Sequence, residues 1–233
     1  MKSIIRTDSL QLTLFGDPKA QSLLLQPMDA RELESAEQIA ALIRQGTDHP
    51  FALAAIEIAD WNGALSPWPA PPVFGRQGFA GEAEKTLFAL QLALPAVEHA
   101  VPNAARRYLG GYSLAGLFAL WAAYETRLFD GVAAVSPSVW FPGWRAYAQA
   151  RHIQTRRVYL SLGDREARTK NPVMAAVGEN LRRQDALLAA DPGCLAHTLV
   201  WNPGNHFQDS ERRTAAGFVW LLEGETDAAS ASA

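Results

Sequence analysis

The chain has 233 residues, 48% of them hydrophobic and 19% charged, enough apolar material to close one sizeable core and too much for a disordered tail protein. Its 21 basic and 24 acidic residues give a formal net charge of -3, with a sequence pI of about 6.0. No global positive field exists to hold a polyanion, which argues against nucleic acid as a partner.

The N-terminal stretch MKSIIRTDSLQLTLFGD breaks its apolar run at Arg6, Thr7 and Asp8, so it lacks the hydrophobic region of a signal peptide. No run of about 18 apolar residues follows, and no membrane partner is expected. Beyond this stretch, short apolar β-type runs alternate with longer helical patterns. In chain order the predicted elements are strands at 4–5, 10–15 and 22–26, a helix at 30–44 and a strand at 51–58. Then come a helix at 81–99, a strand at 107–112, a helix at 113–126, a strand at 131–136 and a helix at 142–150. The chain closes with a strand at 157–162, a helix at 172–190, a strand at 197–201 and a helix at 207–222.

Several of the strand runs are continuously apolar, as strands buried on both faces should be. Leu87, Leu90, Leu94 and Val97 form an apolar stripe on one helix, and Val177, Leu181 and Leu188 form one on another. The alternation predicts an α/β fold with a mostly parallel, doubly wound sheet and helices on both faces. It reads as one domain over 1–223, with a flexible tail at 224–233 that lacks apolar residues to pack. The stretch 59–80 carries four prolines and two tryptophans with little periodicity. It is predicted to be a long ordered loop, a lid or a wrap around the sheet edge. In such sheets ligands bind beyond the C-terminal strand ends, so chemistry is sought just after each run.

After the run RRYLGGY, Ser113 precedes the almost wholly apolar helix LAGLFALWAAY. A serine on a sharp strand-to-helix turn has its hydroxyl pushed out over the sheet, and only small residues two before and two after leave room for that turn. Gly111 and Ala115 occupy those places. The string itself is common; its place between a strand and a buried helix makes it a nucleophile elbow rather than a plain helix cap. The following helix aims its dipole and free amides, Leu114 first, at a developing oxyanion.

Such a nucleophile needs an imidazole base oriented by a carboxylate, in the chain order Ser, acid, His. Of the five histidines, His206 alone follows the last strand in a flexible turn, NPGNHFQ. The acid should follow the run VYLSL, in GDREARTKN. The common spacing, three residues beyond the glycine that ends the strand, selects Glu166, with Asp164 as the alternative. A second oxyanion amide should come from the turn LLLQPMD, where Pro27 has no N–H, Met28 is the expected donor and Asp29 the next.

Taken together, GGYSLAGLFALWA, SLGDREARTKNP and NPGNHF resemble the Putative esterase family of α/β-hydrolases, which includes esterase D, siderophore (enterochelin-type) esterases and feruloyl esterase modules. The resemblance covers about residues 23–222 and implies the α/β-hydrolase fold. It further implies serine esterase activity through an acyl-enzyme, with no metal or organic cofactor. The GxSxG motif carries over to Gly111 and Ser113, with Ala115 in place of the second glycine. The third-strand turn QPMD departs from the His-Gly pair of many relatives, and a Ser/His dyad in some of the siderophore branch leaves the acid the open member.

The expected function is a serine hydrolase cleaving a small-molecule carboxylic ester through a Ser-acid-His triad. The alternatives are a non-catalytic binding module on the same fold, or an acyltransferase or thioesterase using the same site. Asp60, Trp61, Trp68 and Trp140 fall beyond strand ends and are candidate substrate contacts, or else loop packing. Cys194, the single cysteine, can form no internal disulfide and reads as a small packed residue, which points to a cytoplasmic, reducing setting. Oligomeric state leaves no mark in the sequence.

Overall fold

The computed structural model describes residues 2–17 and 19–230. The chain runs β1 (Lys2–Arg6), β2 (Gln11–Gly16), β3 (Ser22–Met28), α1 (Glu32–Gly46), β4 (Phe51–Glu57) and α2 (Trp61–Leu65). Next come β5 (Pro69–Ala70), β6 (Phe79–Ala80), α3 (Ala83–Ala100), β7 (Arg106–Tyr112), α4 (Leu114–Glu125) and β8 (Gly131–Val135). It ends with α5 (Trp144–Gln149), β9 (Arg157–Gly163), α6 (Pro172–Ala175), α7 (Val177–Ala190), β10 (Ala196–Asn202) and α8 (Ser210–Ser230). Eight strands form one sheet in the order β1-β2-β4-β3-β7-β8-β9-β10. Only the β1/β2 and β2/β4 pairs are antiparallel; the remaining pairs are parallel. This is the α/β-hydrolase fold.

Strand alternation divides the core. Along β3, Leu23 and Leu25 point into a cluster with Leu90, Leu94 and Phe118 of α3 and α4. Leu24 points the other way, toward Ile39 of α1 and Phe218 and Leu221 of α8. Each of these fully buried side chains contributes about 1.5–3 kcal/mol. Because both faces are covered there, the inner strands β4 and β8 are apolar almost throughout, as the continuous runs predicted. Helix α4 lies deepest: every residue from Leu114 to Tyr124 is buried, so it cannot shift without opening the core.

Three features depart from the sequence expectation. The stretch 59–80 holds the short helix α2 and a two-residue antiparallel ribbon, β5 with β6. The predicted helix 172–190 divides at Ala176 into α6 and α7, with Asn171 capping the first turn through its side chain. The last helix, predicted to end at 222, continues to Ser230; 231–233 lie outside the described residues. Among the described residues no helix is long and apolar enough to cross a membrane.

The junction of β7 and α4 is set by sterics. A Cβ on Gly111 would lie 2.6 Å from both the carbonyl carbon and the Cβ of Ala115. One on Gly116 would lie 2.9 Å from the carbonyl oxygens of Gly111 and Val135. The turn closes only with bare backbone at both positions. Gly111→Ala is expected to destabilise the protein by about 1–3 kcal/mol through overpacking. Adding Ala115→Gly should not rescue it, because the clash includes the backbone of residue 115. Chemical denaturation of the single and double variants checks both expectations.

Candidate active site

Ser113 stands at the C-terminal end of β7 as the residue before α4, with φ 58° and ψ -118°. A non-glycine residue there stores about 1–3 kcal/mol of backbone strain. It is held by three backbone hydrogen bonds: its N–H donates to Val135, and its carbonyl accepts from Leu117 and Ser138. Ser136, after β8, also has a positive φ of 44°, and its hydroxyl is thereby turned toward the end of β9.

The imidazole of His206 reaches the site from the β10–α8 loop. Its Nε2 lies 3.0 Å from the Ser113 hydroxyl and its Nδ1 2.7 Å from Glu166 Oε2. The other oxygen of Glu166 accepts from the Gly163 amide at 2.7 Å, the Ser136 hydroxyl at 2.7 Å and Arg213 at 3.2 Å. Burial alone would raise the Glu166 pKa, but the hydrogen bond and charge of His206, with the Gly163 and Ser136 donors, outweigh it and hold the carboxyl below its ordinary value. The acid is therefore ionised wherever the histidine needs a negative neighbour.

A second clasp fixes the histidine loop. Tyr112, next to the serine, donates its hydroxyl to the carbonyl of His206 at 2.8 Å. Arg213, 3% exposed at its side chain, donates to the Tyr112 hydroxyl at 3.2 Å and to the Pro203 carbonyl at 2.8 Å. Asp164, the alternative acid, is used otherwise: it accepts from the Gly204 amide at 2.8 Å and faces Arg165. Of the two carboxylates, Glu166 is the one at the imidazole.

A cleft of about 580 Å³ opens over these groups, lined among others by Ser113, Glu166, His206, Phe74, Trp140 and Phe207. That is the size of a small-molecule site. Of the four expected substrate contacts, Trp140 lines it. Trp68 donates its indole N–H to the Pro142 carbonyl at 2.7 Å and packs on Phe141 and Tyr147. Trp61 is half-buried against the core, and Asp60 caps α2 by accepting from the Gly63 amide. These three stabilise the 59–80 stretch rather than wall the cleft.

Met28 is also placed differently from expectation. It is the last residue of β3, paired with Glu57 of β4, and its carbonyl accepts from Ile58. Within a strand the N–H and C=O of one residue point to the same side, so its amide turns toward β4, away from β7 and Ser113. The Asp29 amide is engaged by Glu32 at 3.4 Å. Leu114, in the first turn of α4, keeps an amide without an intrahelical acceptor. Sequence reasoning missed Phe74, Phe207 and Arg213. Phe207 had the signal of adjacency to His206, whereas the other two carried none.

Residues 29–198 match the family model described as Putative esterase. The chain belongs to this family. It is thus an enzyme that hydrolyses esters. No curated protein matches the sequence, while many solved structures share the fold. An IroE-like serine hydrolase from Shewanella oneidensis is 15% identical, with a TM-score of 0.80, over 96% of this chain and 80% of its own. The siderophore hydrolase EstB from Aspergillus nidulans is 17% identical, with a TM-score of 0.77, over 96% and 95%. Enterochelin esterase from Shigella flexneri is 18% identical, with a TM-score of 0.70, over 97% of this chain and 59% of its own.

In this esterase the Glu166–Arg213 pair is buried, with side chains 4% and 3% exposed. Arg213→Met strands a buried carboxylate and should cost about 3–5 kcal/mol; Arg213→Lys, which cannot reach all three acceptors, should recover only part. Glu166 also has a pH signature. Its folded pKa is depressed, so its contribution is fully present above the ordinary value of 4.5 and is lost as pH falls through the lower folded value. Thermal melts across acid pH should accordingly show a flatter profile for Glu166→Gln than for the unsubstituted protein.

Proposed function

We propose that this esterase cleaves a small-molecule carboxylic ester through a Ser113–His206–Glu166 triad and an acyl-enzyme on Ser113. The supporting observation is the continuous relay from hydroxyl to imidazole to carboxylate, with steps of 3.0 Å and 2.7 Å. The Ser113 oxygen attacks the ester carbonyl as its proton passes to His206 Nε2. The alcohol then leaves with that proton. Water, deprotonated by the same nitrogen, attacks the acyl-enzyme; the acid departs and the proton returns to Ser113. One water is consumed and one acid and one alcohol are formed.

Glu166 holds the proton-bearing Nδ1 toward itself and stabilises the imidazolium formed in each half-reaction, without taking the proton. The oxyanion meets the Leu114 amide and the positive end of α4. Strain at Ser113 presents its oxygen to the cleft instead of to the first turn of its own helix, where the side chain makes no capping bond. The expected second donor, Met28, has its amide directed to β4, so Leu114 carries this part of the proposal.

Ser113→Ala and His206→Ala should each lower kcat on p-nitrophenyl acetate by more than about 10³-fold. A fluorophosphonate should add to the peptide containing Ser113 in the unsubstituted protein. Turnover at the original rate by Ser113→Ala would remove the serine from the mechanism. Absence of both turnover and labelling would favour a binding module on the same fold.

A further inference from the structure

The charge of the cleft runs against that of the chain. Formal net charge is -3, yet the charged side chains lining the cleft are Arg165, Arg168 and the triad carboxylate Glu166. Glu166 is 4% exposed at its side chain and already faces His206 and Arg213, so it neutralises neither lining arginine. The side chain of Arg165 is 50% exposed, with its guanidinium 3.8 Å from Asp164 and donating to Gln208 Oε1 at 3.4 Å, both long contacts. Arg168 is exposed and takes part in no ion pair among the described residues.

Both arginines are set by the turn that carries the triad acid. The Glu166 amide donates to Gly163 at 3.1 Å and the Arg168 amide to Arg165 at 3.0 Å. Two cations therefore stand on one ordered turn at the wall of the catalytic cleft, and among the described residues the one carboxylate paired with either is Asp164, at 3.8 Å from Arg165. Much of the remaining lining is apolar, with Phe74, Trp140, Met174, Val177 and Phe207. Phe207 is 89% exposed and Phe74 46%, although each has a ring neighbour at the site: His206 at 5.5 Å for Phe207, Trp140 at 5.9 Å for Phe74. Phe74 rests edge-on against the core rings Phe79 and Trp140, so the aromatic surface left open at the cleft is mainly that of Phe207, and a ligand is what would cover it.

We propose that the site selects esters whose body joins an aromatic or bulky apolar portion to an anionic group, a carboxylate in the simplest case, held by Arg165 and Arg168. The inference rests on the serine-hydrolase reading above and specifies its substrate. Guanidinium forks suit a carboxylate in geometry as well as charge. The same two cations disfavour a positively charged ester, so they discriminate by repulsion too.

Matched esters test this. The pair 4-acetoxybenzoate and 4-acetoxybenzamide places the charge on the alcohol side, and the pair phenyl hydrogen succinate and phenyl butyrate places it on the acyl side. Each kcat/KM ratio is divided by the ratio of the hydroxide-catalysed rates, to remove intrinsic reactivity. The unsubstituted protein should favour the anionic member of at least one pair by about three- to tenfold, the scale of one or two exposed ionic contacts. That preference should shrink between about 20 and 500 mM salt, as screening shortens.

The double variant Arg165→Glu/Arg168→Glu should invert the ratio, and Arg168→Ala, confined to an exposed side chain, should weaken it if the double variant fails to fold. No preference in either pair overturns the proposal, as does a preference that the variants leave unchanged or an equal loss on both members. If neutral esters are cleaved through Ser113 without charge preference, this inference alone falls. Cleavage independent of Ser113, or of neither pair, removes the serine-hydrolase reading with it.

Discussion

Glu166 lies where the ends of three strands and two loops meet, and its two oxygens accept from four groups: His206, the Gly163 amide, Ser136 and Arg213. A buried carboxylate with fewer donors would take up a proton or destabilise the fold. Saturated with donors, it remains an anion in a place that burial alone would neutralise. The geometry of the histidine follows from this. Its Nδ1 must face the one oxygen left, which turns Nε2 to the serine. The Tyr112–Arg213 clasp then keeps the loop from withdrawing the ring, because it grips the backbone at Pro203 and His206 rather than the imidazole itself.

The strain in the site is carried by the core beneath it. Ser113 and Ser136 both adopt positive φ at the ends of neighbouring central strands, each at a cost of about 1–3 kcal/mol. Helix α4, buried from Leu114 to Tyr124, is fixed between the sheet and α2 by apolar packing worth several times that. The missing Cβ atoms at Gly111 and Gly116 allow the helix to approach until its first amides stand beside the hydroxyl. Stability elsewhere in the fold thus keeps a reactive group in a conformation that it would not adopt in a free turn.

Solved relatives at 15–18% identity keep this architecture, which matches how cores are specified: pattern and approximate volume suffice, and few individual side chains are required. Substrate choice is not subject to that tolerance. It depends on the side chains that reach the cleft from the acid turn, the histidine loop and the 59–80 stretch, and these lie outside the packed layers.

The elements of the fold and the residues of the proposed triad were readable along the chain because their signals are local. Continuous apolar runs marked doubly covered strands, and Gly111, Ser113 and Ala115 encode one turn whose tightest contact, between residues 111 and 115, is local. His206 stood out through its position after the last strand, and Glu166 through its spacing from Gly163. The walls of the cleft were not readable. Trp68 and Trp140 look alike in sequence, yet Trp68 finds a carbonyl and two rings within its surroundings while Trp140 lines the cleft. Arg213, on a helix with a charged face, gives no sign that it is buried against Glu166. Met28 sits at the end expected for an oxyanion donor, but the pairing of β3 with β4 directs its amide. Periodicity and turn chemistry are properties of neighbours in sequence, so the chain alone settled most strands and helices and pointed to the groups of the proposed triad. Which side chains share one cavity depends on contacts between residues tens of positions apart, and only the folded packing decided those.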